Sequence, residues 1–161
     1  MKDVLVAAVI YLACRMEGYP RTLKEIAAAS NVPMRSISKI YSSLSRTLEV
    51  DTGRVLPENI VGRFASNLQL SHSIRSTSLH ICQSVSRLDL CEGASPHSIA
   101  AAALSIAMIL HKHTIDIDAL VETSMGNVSA IKRTYTVLLS HAKDILPQEH
   151  IESLSLLPVE L

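Results

Sequence analysis

Ala7-Ala8-Val9-Ile10-Tyr11-Leu12-Ala13-Cys14 returns, 94 positions later, as Ala101-Ala102-Ala103-Leu104-Ser105-Ile106-Ala107-Met108. The same offset lays residues 4–50 on residues 98–144 without a gap, and Ala7, Ala8, Ala13, Ser30, Ile37, Tyr41 and Leu44 all meet identical residues. Seven identities in 47 positions are weak evidence alone. The apolar pairs Ile10/Leu104, Leu12/Ile106, Leu23/Ile117 and Ile26/Leu120 strengthen it. Self-similarity at one fixed offset marks a supersecondary unit used twice.

Each copy reads as three helices. The first (residues 2–16 and 96–110) is Ala-rich and apolar almost all round, the pattern of a buried central helix. Small Ala side chains let neighbouring helices come close. Gly18-Tyr19-Pro20 stops the helix in the first copy, and Thr22-Leu23-Lys24-Glu25 then forms a capping box, hydroxyl and carboxylate each satisfying a free backbone N–H. Asp116 takes the capping position in the second copy. A short helix follows (23–29 and 117–123), then a tight turn, then a longer helix (34–48 and 128–142). Between the copies, residues 58–68 and 73–88 predict two further helices, the latter on the spacing of Ile74, Ile81, Val85 and Leu88. Pro96 suits a helix start.

The expected organisation is therefore all-α. Residues 1–50 form the last three helices of a first repeat, incomplete at its N-terminus, and 51–57 a linker. Residues 58–146 form a second, five-helix repeat, and 147–161 a short tail of one or two helical turns.

Composition agrees with this reading. Of 161 residues, 48% are apolar and 19% charged, enough for a packed core, while aromatics reach only 3%. One Phe, four Tyr and no Trp are thin for a β-sandwich or a base-stacking surface. Fifteen basic and fifteen acidic residues cancel, which argues against binding nucleic acid by charge alone. The cancellation is uneven along the chain. Residues 1–57 carry eight Lys/Arg against five Asp/Glu, residues 58–146 carry seven of each, and Glu149, Glu152 and Glu160 fall in the tail.

Cys14, Cys82 and Cys91, without a CxxC pair, form neither a disulfide framework nor a zinc ribbon, and a reducing compartment is the simplest setting. Both apolar runs are too short to span a bilayer, so no membrane is expected as a partner. Leu12-Ala13-Cys14 imitates a lipoprotein cleavage site, but Asp3 beside Lys2 spoils the n-region of a signal peptide.

Short helix, tight turn, longer helix is helix-turn-helix geometry, which sets its second helix into the major groove. The same arrangement serves plain packing, with charges on a solvated face. In the first copy Arg35, Lys39 and Arg46 share one side of the last helix. In the second, Ser129, Lys132 and Arg133 are the candidates for groove or phosphate contact. His111-Lys112-His113 followed by Asp116 and Asp118 could be drawn as a metal site, but Asp116 already has a capping role, and no metal or cofactor is expected. His80 and Cys82, two apart, point to different sides of one helix. No GxSxG, phosphate loop, HExxH or Ser/His/Asp order appears, so no enzyme is expected.

Three ordered stretches carry a family resemblance. Residues 7–26 (AAVIYLACRMEGYPRTLKEI) resemble the first-repeat signature of transcription factor IIB, and Gly62-Arg63-Phe64-Ala65-Ser66-Asn67-Leu68 and Ser95-Pro96-His97-Ser98-Ile99-Ala100-Ala101-Ala102-Ala103 follow in the family's order. The Pol III counterpart and the archaeal factors share the pattern more loosely.

The resemblance, running over about residues 4–147, implies tandem cyclin-like five-helix repeats that straddle a complex of TATA-binding protein with promoter DNA. It implies that Arg35, Lys39 and Arg46 help hold the TATA-binding protein and that the second helix-turn-helix meets DNA upstream of the TATA element. Ser129 and Lys132 stand where the family usually has Val and Arg. Bidentate guanine reading belongs to Arg, so phosphate contact is expected rather than base reading. RNA polymerase would be reached only through regions absent from this chain. The implied location is the nucleus, or the cytoplasm of an archaeon. The rival readings are a cyclin-like module regulating a kinase and a helix-turn-helix protein that binds DNA without a partner.

Overall fold

The computed structural model describes residues 2–161, and every regular element among them is helical. The chain divides into two units between Val55 and Leu56.

The first unit holds α1 (Lys2–Met16), α2 (Leu23–Ser30) and α3 (Met34–Thr47). The capping box is present: the Thr22 hydroxyl accepts from the Glu25 amide at 2.9 Å, and the Glu25 carboxylate accepts from the Thr22 amide at 2.7 Å. Asn31 then takes the left-handed conformation (φ 54°) that ends α2, a role Asn tolerates through its short polar side chain. Ala7, Ala8 and Tyr11 of α1 pack with Ile26, Val32 and Ile37, and Ile40, Tyr41 and Leu44 close over them from α3.

The Tyr11 and Tyr41 rings meet edge to face, 4.8 Å between centres. The Arg15 guanidinium lies 5.9 and 5.6 Å from those ring centres, within cation–π range, and donates to the Gly53 carbonyl. Tyr41 Oη also pairs with Thr52 Oγ1 at 2.8 Å. The stretch expected as a linker is therefore fastened to the first unit over Thr52 and Gly53.

The second unit holds α4 (Glu58–Asn67), α5 (His72–Arg87), α6 (Pro96–Leu110), α7 (Ile117–Ser124), α8 (Val128–Ser140) and the short α9 (Ala142–Ile145), followed by a 3-10 segment, Gln148–Leu156. Ser95 caps α6, with Pro96 in its first turn. α6 is the axis of this unit. Twelve of its fifteen residues are buried, under α4, α5, α7 and α8. Ala100, Ala101, Ala102 and Ala103 are all fully inaccessible, and only side chains this small let helices approach on every side.

Three expectations need correction. The reading of α1 as a buried central helix fails on half its circumference. Val6 is 54% and Val9 47% exposed, and Leu5, Ile10 and Met16 are exposed too, whereas their counterparts Ala100, Ala103, Ile99, Leu104 and Leu110 are buried. The cause is the number of neighbours: within its unit α1 has α2 and α3, while α6 has four helical partners and the 3-10 segment. Secondly, the segment read as a tail packs on the second unit, against α6 and α9. Leu157 is buried, and Pro158 O accepts a 2.9 Å hydrogen bond from Tyr135 Oη. The last long helix also stops at Ser140, with His141 closing it before α9.

Candidate nucleoprotein-binding surfaces

In the first unit the candidate surface is the outer side of α3. Ile37 is buried, Ile40, Tyr41 and Leu44 face inward, and Arg35, Lys39 and Arg46 are exposed on the other side. This is the division an amphipathic helix makes when one stripe is taken by the core. Arg35 and Lys39 are one turn apart, and Arg46 lies in the last turn, where a cation also complements the helix C-terminus. Among the described residues none of the three is in an ion pair, whereas Arg21 of the same unit lies 4.0 Å from Glu25. The three cations are thus available to an acidic partner.

In the second unit, α7 and α8 form the helix-turn-helix. Asp116 caps α7, accepting from the Ala119 amide at 3.0 Å. Met125 takes the left-handed conformation (φ 49°) that in the first unit falls on its counterpart Asn31. The Gly126 amide donates to Ser124 Oγ at 3.2 Å, and a Cβ at Gly126 would sit 2.8 Å from that oxygen, so the turn is closed by a close approach that glycine permits. Asn127 then caps α8, accepting from the Ala130 amide at 3.2 Å. Ile131, Thr134, Tyr135 and Leu138 bury one side of α8, which leaves Ser129, Lys132 and Arg133 exposed together over its first two turns. A row of one hydroxyl and two cations at the leading end of the second helix can meet phosphate oxygens and base edges.

Sequence reasoning missed what lies beside Arg133. A groove of about 360 Å³ runs between α8 and the turn before α6, lined by Cys91, Gly93, Ser95, Arg133, Thr134 and Val137. The elements that form it are some forty residues apart in the chain, and no local pattern announces such a meeting. The Cys91 thiol is pushed above its ordinary value by burial, which disfavours its thiolate form.

The histidine-rich loop also has another arrangement than a run of ligands. His111 turns to Thr77 on α5, His113 Nδ1 sits 2.8 Å from the Thr114 carbonyl oxygen, and Asp116 is occupied as a cap. No group of three or more His, Cys, Asp or Glu among the described residues is arranged to hold a metal. His80 is exposed and Cys82 buried, on opposite sides of α5 as their spacing requires. No helix among the described residues is long and apolar enough to cross a membrane.

The family model for the transcription factor TFIIB repeat matches twice, over residues 2–47 and 50–141. The chain belongs to the TFIIB repeat family. It is 30% identical over 152 residues to the transcription initiation factor IIB of Xenopus laevis and equally to that of Homo sapiens, covering 91% of this chain and 46% of each relative. Against the Drosophila melanogaster factor the identity is 29%, over 91% of this chain and 47% of the relative. The chain thus spans about half the length of the curated relatives it matches. A TFIIB repeat is a cyclin-like helical unit, and the two matches make this a tandem cyclin-like fold. α1–α3 and α6–α8 are the corresponding helices of the two TFIIB repeats, and each repeat closes on the helix that carries its exposed cations.

Proposed function

We propose that this chain is the core of a general transcription initiation factor that binds a TATA-binding protein–promoter DNA complex during preinitiation complex assembly. It acts by shape and contact rather than by catalysis, and in the nucleus. The observation that carries the reading is the exposed row Ser129, Lys132 and Arg133 on the second helix of a helix-turn-helix, within a chain made of two TFIIB repeats. On this reading residues 1–50 supply the first repeat's last three helices, 58–146 the second repeat, and 51–57 the connection. Arg35, Lys39 and Arg46 on α3 serve the protein partner, and α8 serves DNA upstream of the TATA element. The zero net charge fits a factor that adds protein contacts to a few phosphate contacts on DNA already bent by its partner.

Mobility-shift titration on a TATA duplex, with and without TATA-binding protein, tests this. Binding is expected only as a ternary complex, and equal binding to the bare duplex overturns the reading in favour of a partner-independent DNA binder. Copurification with a kinase and no ternary complex would favour a cyclin-like regulator instead. Arg35→Glu or Lys39→Glu is expected to weaken ternary assembly by about tenfold or more, roughly 1.4 kcal/mol, since it places repulsion where attraction was. Unchanged assembly removes α3 from the interface.

A further inference from the structure

The C-terminal residues form a strap on the second unit, and its first turn carries a histidine contact that the proposed function does not use. His150, in the 3-10 segment, meets His111, at the end of α6, with ring centres 5.0 Å apart and planes at 76°. Both Nε2 atoms reach one hydroxyl, Thr77 Oγ1 on α5, at 2.9 Å for His111 and 3.5 Å for His150. Thr77 is itself buried. Three separate elements, α5, α6 and the strap, are joined at this point. At the other end of the strap Leu157 is buried and Tyr135 holds Pro158 O.

We propose that the His111–His150 pair is an acid-released latch, which holds residues 148–158 on the second unit while the rings are neutral and lets them lift when both are protonated. Two imidazolium rings at this separation repel, and neither is fully solvated. The groups facing the pair offset that repulsion only in part. α5 offers the uncharged Thr77 hydroxyl. From the strap comes Glu149, 3.6 Å from His150 Nε2 but with its own side chain 77% exposed, where water screens it. Lys112 and His113 after α6, Lys143 and Asp144 on α9, and Glu152 in the strap are exposed. Burial, and then the neighbouring His150, hold the His111 imidazole below its ordinary 6.5, with Glu149 opposing. A base whose protonated form is disfavoured by docking makes docking depend on pH in one direction. The contribution is whole above about pH 6.5 and is lost as the pH falls through the lowered value.

The test is amide hydrogen exchange on the whole chain at about pH 7.5 and about pH 5.5, corrected for intrinsic rates. The Leu157 amide, bonded to Leu154 O at 3.1 Å, and the His150 amide, bonded to Pro147 O at 2.9 Å, report the strap. Their protection is expected to fall at least about fivefold relative to α5 on acidification; an unchanged ratio overturns the latch. His150→Gln is expected to reduce the pH dependence, because the ring–ring repulsion goes while the burial of His111 stays, and a pH dependence as large as in the parent protein also overturns it. Should that variant undock the strap at every pH, Leu157→Glu decides the matter, because it lifts the strap from its other end. The NMR titration midpoint of His111 should then rise towards 6.5 from a lower value in the parent protein, and a midpoint that does not move refutes the coupling.

Discussion

Tyr41 and Tyr135 are the same residue at corresponding positions of the two repeats, and each ties its helix to the chain that leaves the repeat. Tyr41 Oη pairs with Thr52, eleven residues on, and Tyr135 Oη donates to Pro158 O, twenty-three residues on. A phenol does this well because its ring fills the core while its hydroxyl reaches past it to a polar partner. The identity of the two residues is plain in the sequence, but their partners are not, since Thr52 and Pro158 share no offset. For Tyr135 the burial is complete and lifts its ionisation from 10.0 to about 12. The folded state then holds the proton longer than the unfolded chain does. The contribution is whole below pH 10 and is lost as the pH rises through about 12. Thermal unfolding of the parent protein is expected to shift to lower temperature between about pH 9 and about pH 11.5, and Tyr135→Phe to shift less over the same range. Equal shifts in both would show that another group governs alkaline unfolding.

Helices and their ends were legible because their determinants are local. Thr22 with Glu25, Asp116, and Pro96 after Ser95 each act within one turn, so the starts of α2, α6 and α7 fall where the residues put them. What covers a helix is not local. α1 and α6 share an Ala-rich, largely apolar pattern, yet Val6 and Val9 are half exposed where Ala100 and Ala103 are sealed. That difference sets unequal costs for one chemical change. Val9→Lys is expected to change stability by less than about 0.5 kcal/mol, as at most surface positions. Ala103→Lys, which forces a charged side chain into a site without space, is expected to cost more than about 4 kcal/mol and to unfold the second unit. Urea denaturation of the two variants checks this; similar midpoints would mean that α6 is not packed as described.

At the scale of the whole chain, charge was the informative quantity, and it was legible as a distribution rather than a total. α3 displays Arg35, Lys39 and Arg46, and α8 only Lys132 and Arg133. If the second repeat alone grips DNA, about two phosphates are neutralised, and the slope of log K against log salt for addition of the chain to the partner-bound duplex is expected near −2. A slope of about −6 or steeper would point to a much larger basic footprint. The candidate cations themselves were readable from spacing, because they lie on helix sides opposite Ile37 and Ile131. The groove beside Arg133 and the His111–His150 contact were not, because each joins segments that only the tertiary fold brings together.

The tight seal around α6 has a bearing on how the two copies can diverge. Four consecutive positions, Ala100 to Ala103, have no spare volume, whereas the twin stretch already holds Val6 and Val9 at the first and last of the four. Saturation mutagenesis would accordingly read the second copy as closed to larger side chains along this stretch and the first as a page still open to revision.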